Sequence, residues 1–377
     1  MATDPRPVLT DGVVTLRPHT RDDLDAMVEQ CTDESSLRWT TVPRGYTRDD
    51  AVAFVERVMG DWADPHGNRH WAIEPADGPG YAGTIDLRPG ESWDCASIGY
   101  ALHPAARGRG VMSRAVRLVA GFAFDRGPWG RPLARVHWRA IVGNWASRRV
   151  AWATGFTFHA TLPSVLPDGT DPDGPGLDAW HASLAAGDPL APRLPWFVPV
   201  TLEGAQVRLR AWRDGDGASF AEDRHDPAHW FPQHVLLSAD TFGPWLEHRR
   251  ELMALGQAVE WAIADTRTDR ALGQLTIFTR VGELTGDAAE IGYQLVPSAR
   301  GLGNAQAACR LAIEHAFTPR GRGGLGLRRL TAGTAADNAA SNGVLHRVGF
   351  VEYGREHATD ELANGSFADS LHWELLR

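Results

Sequence analysis

At 377 residues, with 43% hydrophobic and 23% charged side chains, the chain is too long for one compact core and has the composition of an ordinary soluble globular protein, which suits two domains of under about 200 residues each. A net charge of −9 argues against nucleic acid as a partner and mildly favours a cationic one, and the lack of any long apolar run argues against a membrane span. Cys31, Cys95 and Cys309 stand in unrelated contexts that offer neither a disulfide framework nor metal spacing, and the polar start is no signal peptide, so a cytoplasmic protein is expected. All 38 basic residues are arginine, which codon bias explains and on which no function is placed.

In chain order, residues 13–17 alternate like a strand, and Arg21-Asp22-Asp23 opens a helix with its acidic residues at the positive end. Thr47 and Asp50 then cap an amphipathic helix with apolar positions at Ala51, Phe54, Val55 and Val58. Residues 71–74, 83–87 and 96–102 read as a meander of three strands with proline-glycine turns between them. A glycine turn follows, then a helix with apolar residues at Met112, Ala115, Val116 and Val119. Residues 135–139 form a further strand, which feeds Asn144 and a short helix stopped at Gly155. The segment 162–176, rich in Pro, Gly and Asp, reads as a surface loop before a closing strand at 177–184. Pro189, Pro192, Pro195 and Pro199 make residues 185–199 a semi-extended connector.

The order then repeats. Val14 to Arg17 recur as Val207 to Arg210 and Trp71-Ala72-Ile73 as Trp261-Ala262-Ile263, while Asp214 onward repeats the first helix and Ser238 to Leu246 the capped one. Asn144 to Phe156 recur as Asn338 to Phe350. The clearest echo is Ile98-Gly99-Tyr100 running through Arg107-Gly108-Arg109-Gly110-Val111-Met112, which returns as Ile291-Gly292-Tyr293 through Arg300-Gly301-Leu302-Gly303-Asn304-Ala305. The expected domains are therefore 1–184 and 200–377, joined by 185–199. A strand that turns through glycines into a helix N-terminus leaves backbone N–H groups pointing outward, a place for a phosphate.

These residues resemble the GNAT superfamily of acyl-CoA-dependent N-acyltransferases, whose loop reads Arg/Gln-x-x-Gly-x-Gly/Ala between strand and helix. Arg300, Gly303 and Ala305 fit; in the first copy Arg107 and Gly110 fit, and Met112 departs from the small residue. The likeness is closer to the ribosomal-protein N-acetyltransferase branch, with Glu290 before Ile-Gly-Tyr and Asn-x-x-Ser ahead of Gly-Phe in both halves. It implies an α/β architecture of two tandem folds, each a twisted, mostly antiparallel sheet flanked by helices. It also implies acetyl-CoA or another acyl-CoA as co-substrate, held at Arg300, Gly301, Leu302, Gly303, Asn304, Ala305 and Asn338. The matching positions of the first copy are Arg107, Gly108, Arg109, Gly110, Val111, Met112 and Asn144. No metal is expected.

Direct attack of an amine on a thioester needs a base for the amine and an acid for the departing thiolate. Glu290 is the candidate base, or else a surface glutamate; Ser97 takes its place in the first copy and cannot serve. The tyrosine that many relatives use as acid is missing, Ala151 and Leu345 standing in its place, so the resemblance moves the role to Ser341, with Ser147 in the first copy. Ser341 and Asn338 also read as helix caps. The expectation is an N-acyltransferase acting on a small-molecule or peptide amine, with a catalytic second domain and a monomer whose domains pair as a pseudo-dimer. The alternatives are a natural-product tailoring enzyme using a longer acyl group or a carrier-protein donor, and a non-catalytic acyl-CoA-binding regulatory protein. His225, His229 and His234 read as loop or pocket residues, and Trp230 and Trp245 as candidates for an acceptor pocket.

Overall fold

The computed structural model describes residues 6–78, 80–168, 174–220, 238–279, 286–362 and 365–377. His225, His229, His234 and Trp230 lie outside these residues. The chain divides into two compact units, Met1–Arg193 and Leu194–Arg377.

In the first unit, β1 (Leu9–Thr10) and β2 (Val14–Arg17) precede α1 (Leu24–Thr32), α2 (Glu34–Trp39) and α3 (Arg48–Asp61). There follow β3 (Arg69–Pro75), β4 (Gly83–Pro89), β5 (Cys95–Leu102), α4 (Val111–Asp125), β6 (Arg135–Ile141), α5 (Trp145–Ala153), β7 (Thr157–Leu166) and β8 (Leu177–Ala185). The strands form one sheet in the order β1-β2-β3-β4-β5-β6-β8-β7. All its pairs are antiparallel except β5 with β6, the two strands joined through the glycine turn and α4. Alternation sends Trp71, Ile73, Ile85, Leu87 and Ile98 to one face, where they meet Val116, Val119 and Ala123 of α4. At the start of α3, the Thr47 Oγ1 accepts from the Asp50 N–H at 3.3 Å while the Asp50 carboxylate accepts from the Thr47 N–H at 2.8 Å, the reciprocal cap that the sequence indicates.

The second unit repeats this plan. It runs β9 (Leu202–Glu203), β10 (Val207–Arg210), α6 (Phe242–Ala254), β11 (Ala258–Asp265), β12 (Ala271–Thr279), β13 (Ala288–Leu295), α7 (Asn304–Phe317), β14 (Arg329–Ala335), α8 (Ala339–Arg347), β15 (Val351–Glu361) and β16 (Phe367–Leu376). The sheet order is β15-β16-β14-β13-β12-β11-β10-β9, with β13 and β14 the parallel pair. Trp261, Ile263, Leu275, Ile277 and Ile291 pack on Ala308, Cys309, Ala312 and Ala316 of α7. On the opposite face, Trp212, Phe220, Phe242 and Leu246 form a smaller aromatic cluster.

Three local expectations change. Residues 162–166, taken for loop, complete β7, an edge strand exposed on both faces and therefore without the apolar alternation that marks a buried one. The first helix begins at Leu24, because Arg21–Asp23 make a tighter 3-10 turn. Its repeat from Asp214 is a 3-10 segment, Asp214–Phe220, in which Gly215 and Gly217 disfavour an α-helix.

Candidate active site

In both units the turn before the long helix is built as the sequence indicates. Gly301 and Gly303 have φ of 73° and 80°, and Gly108 and Gly110 both have 74°, the left-handed region that glycine enters without strain. A Cβ on Gly301 would meet no protein atom within 4 Å, so the loop faces open space. The side chain of Asn304 ties the turn together: its Nδ2 donates to the Ala299 carbonyl at 3.0 Å, and its Oδ1 accepts from Gln206 Nε2 at 2.6 Å. Arg300 donates through Nε to the Leu295 carbonyl at 3.2 Å, while its buried Nη2 has no acceptor among the described residues. A buried guanidinium nitrogen in that condition beside a glycine turn suits an anionic ligand.

The sheet opens next to this turn. The β13–β14 ladder runs from Ala288/Arg329 to Glu290/Thr331 and stops, whereas β13 stays paired with β12 as far as Leu295. Past Glu290 the strand therefore has an edge within the sheet, with backbone polar groups to offer a ligand. A cavity of about 820 Å³ occupies the opening. Its walls include Glu290, Gly292, Tyr293, Arg300, Gly301, Gly303, Asn304, Ala305, Asn338 and Ser341, so most of the residues expected in the second domain meet in one space. Leu302 is outside that wall, 64% exposed at the tip of the turn.

Within the cavity the Tyr293 hydroxyl lies 2.8 Å from Ser341 Oγ. Burial holds the Tyr293 phenol above its ordinary pKa, so it keeps its proton at neutral pH. Asn338 caps α8, its Oδ1 accepting from the Ser341 N–H at 3.1 Å, which orients the serine at the first turn. Glu290 stands opposite Phe278 across the β12–β13 pair, at the point where the sheet parts. Sequence reasoning missed two parts of this wall. Tyr293 was visible as the third residue of the repeated Ile-Gly-Tyr, but nothing local says that α8 brings Ser341 to it. Tyr353, Glu356, Asp360 and His372 come from the β15–β16 hairpin, whose exposed first strand has no apolar periodicity.

The first unit keeps the backbone and changes the side chains. Arg107 Nη2 donates to Asp33 Oδ2 at 2.7 Å and to Ser36 Oγ at 3.0 Å, so the counterpart of Arg300 is already paired. Arg109 Nη2 donates to the Asp77 carbonyl at 2.6 Å, and Val111 and Met112 turn into the core. Asn144 caps α5 through the Ser147 N–H at 3.1 Å. Ser97, in the place of Glu290, is exposed. Trp138, at the register of Ala332, donates its indole N–H to the Tyr100 hydroxyl at 2.9 Å and to Ser147 Oγ at 3.1 Å.

Among the described residues no group of three or more His, Cys, Asp and Glu side chains is arranged to hold a metal, and no helix is long and apolar enough to cross a membrane. The pattern that defines the acetyltransferase (GNAT) domain matches this chain twice, over residues 14–157 and 206–351. YdaF of Bacillus subtilis (strain 168), a candidate ribosomal N-acetyltransferase, is 38% identical over 90 residues, which span 24% of this chain and 45% of that relative. Among solved structures, Mycobacterium smegmatis RimJ in complex with CoA-disulfide is 24% identical with a TM-score of 0.41, covering 48% of this chain and 90% of its own. The ribosomal-protein-S5-alanine acetyltransferase of Vibrio fischeri is 22% identical with a TM-score of 0.41, covering 47% of this chain and 97% of its own. The chain belongs to the GNAT acetyltransferase family and has that family's domain twice, in tandem.

Proposed function

We propose that the second domain transfers an acetyl or other acyl group from acyl-CoA to a primary amine by direct attack in a ternary complex. The observation that supports this most is a single cavity shared by the glycine turn with its Arg300, the open edge of β13, Glu290 and the Tyr293–Ser341 pair. In this reading the N–H groups at the start of α7 and the Arg300 guanidinium hold the donor's pyrophosphate, and the free edge of β13 pairs with the amide groups of its arm. When bound, the donor supplies an activated thioester carbonyl and leaves as a thiolate.

The chain's own residues move the protons. Glu290 takes the proton that the attacking ammonium must lose, directly or through one water. Ser341, with its hydroxyl on that of Tyr293, returns a proton to the leaving sulfur; Tyr293 passes one to the serine and regains its own from solvent in the cavity. Glu356 and Asp360 line the same cavity as Glu290, which favours a cationic acceptor, either a small amine or a peptide N-terminus. The names of the relatives point to ribosomal proteins, so peptide N-termini belong first in an acceptor panel. Thiol release measured against that panel tests the reading. Glu290→Gln is expected to lower kcat by about 10²–10⁴ with CoA affinity nearly unchanged; an unchanged kcat would remove Glu290 as the base.

A further inference from the structure

We infer that the first domain takes no acyl-CoA, because Trp138 closes the opening that the second domain keeps. The two sheets differ by an exchange of one large side chain across a strand pair. On β6 Trp138 faces Ala182 of β8, whereas on β14 Ala332 faces Trp373 of β16. Directly opposed residues of an antiparallel pair share a face, so each sheet carries one indole at this level, hung from different strands. The consequence for the opening is opposite in the two cases. Trp373 donates to Thr334 Oγ1 at 3.0 Å, on the strand it already faces, and leaves Tyr293, Ala332 and Ser341 as cavity wall. Trp138 reaches from β6 to the β5 tyrosine and the α5 serine, and so spans the gap through which a donor's arm would have to pass.

Other first-domain residues agree. The β5–β6 ladder runs one pair further than its counterpart, to Ile98/Trp138, so the sheet parts later. Arg148 is 4% exposed and sits 4.3 Å from the rings of both Phe158 and Trp180, filling the space beside the α5 N-terminus. Arg107, bound to Asp33 and Ser36, would have to break an ion pair before it could meet a phosphate. The first domain has the family's loop and lacks room behind it.

Titration calorimetry of the full chain with CoA tests this. One CoA per chain is expected, and two would overturn the inference. Trp138→Ala with Ala182→Trp copies the second domain's arrangement while conserving volume, and should add a site; a folded double variant with no added site would show that Trp138 is not the closing group. The reciprocal Ala332→Trp with Trp373→Ala should abolish binding, and if it leaves the single site intact that site belongs to the first domain. Should either swap fail to fold, Arg107→Ala is expected to leave the isotherm unchanged and Arg300→Ala to weaken it roughly tenfold or more; the reverse pattern contradicts the inference. A wild-type chain that binds no CoA would count against the proposed donor; in that case a site gained by the first swap would still support Trp138 as the closing group, and no gain would count against it.

Discussion

The Tyr293 hydroxyl lies 2.8 Å from Ser341 Oγ and also donates to the Ser341 carbonyl at 3.2 Å, and the two hydroxyls have unequal tasks in the proposed reaction. In the proposed reaction, removing Ser341 takes away the acid itself, whereas removing the Tyr293 hydroxyl leaves that acid without its 2.8 Å partner. Tyr293→Phe should therefore lower kcat by about five- to tenfold, the worth of one hydrogen bond, and Ser341→Ala by more, both with little change in KM for the donor. Equal rates for wild type and Ser341→Ala in a stopped-flow thiol assay would rule the serine out as acid. Glu260 bears on stability instead. It is fully buried on β11, and that burial raises its pKa to about 7 against the opposing effects of Arg249, Thr276 and Trp212. An acid whose folded pKa lies above its unfolded value of 4.5 loses stability as pH rises from about 4.5 to 7, by roughly 3 kcal/mol at most. Glu260→Gln should flatten that part of the stability profile in urea titrations at pH 5 and pH 8. The place of Glu290 beside the cavity was legible because it sits at a fixed offset from the glycine turn. Glu260 was not, because only the folded sheet shows that nothing but protein surrounds it.

At the scale of elements, the loop between β13 and α7 depends on backbone conformation more than on packing. A methyl group at Gly303 would come no closer than 4.0 Å to Gln206, yet φ of 80° costs any other residue roughly 1–2 kcal/mol. Gly303→Ala is thus expected to lower stability by that modest amount while weakening CoA binding, since the strained residue sits in the turn proposed to hold the phosphates. Calorimetry and a melting curve on the same sample separate the two effects. Helices α3, α4, α5, α7 and α8 were readable from caps, glycine stops and apolar spacing. The strands β7 and β15 were not, because an edge exposed on both faces bears no periodic signal, and with β15 went the hairpin that walls the cavity.

For the molecule as a whole, the duplication was legible in spaced, matching motifs, and with it the two sheets, though not the one parallel pair in each. What the repeat conceals is the packing consequence of divergence at matched positions: Ala332 against Trp138, Asn342 against Arg148. These exchanges leave the elements in place and change what fills a space, which no window of sequence reports. The short seam between β13 and β14 has a further consequence, in time rather than in space. Beyond Glu290 the amides of β13 that point toward β14 have no strand to protect them, while those that point toward β12 do. Deuterium should therefore enter residues 291–295 in an alternating pattern, fast at every second position, and saturating CoA should slow those fast positions selectively. Across residues 98–102, where an indole already covers the gap, the same additive should leave the exchange clock running at its former rate.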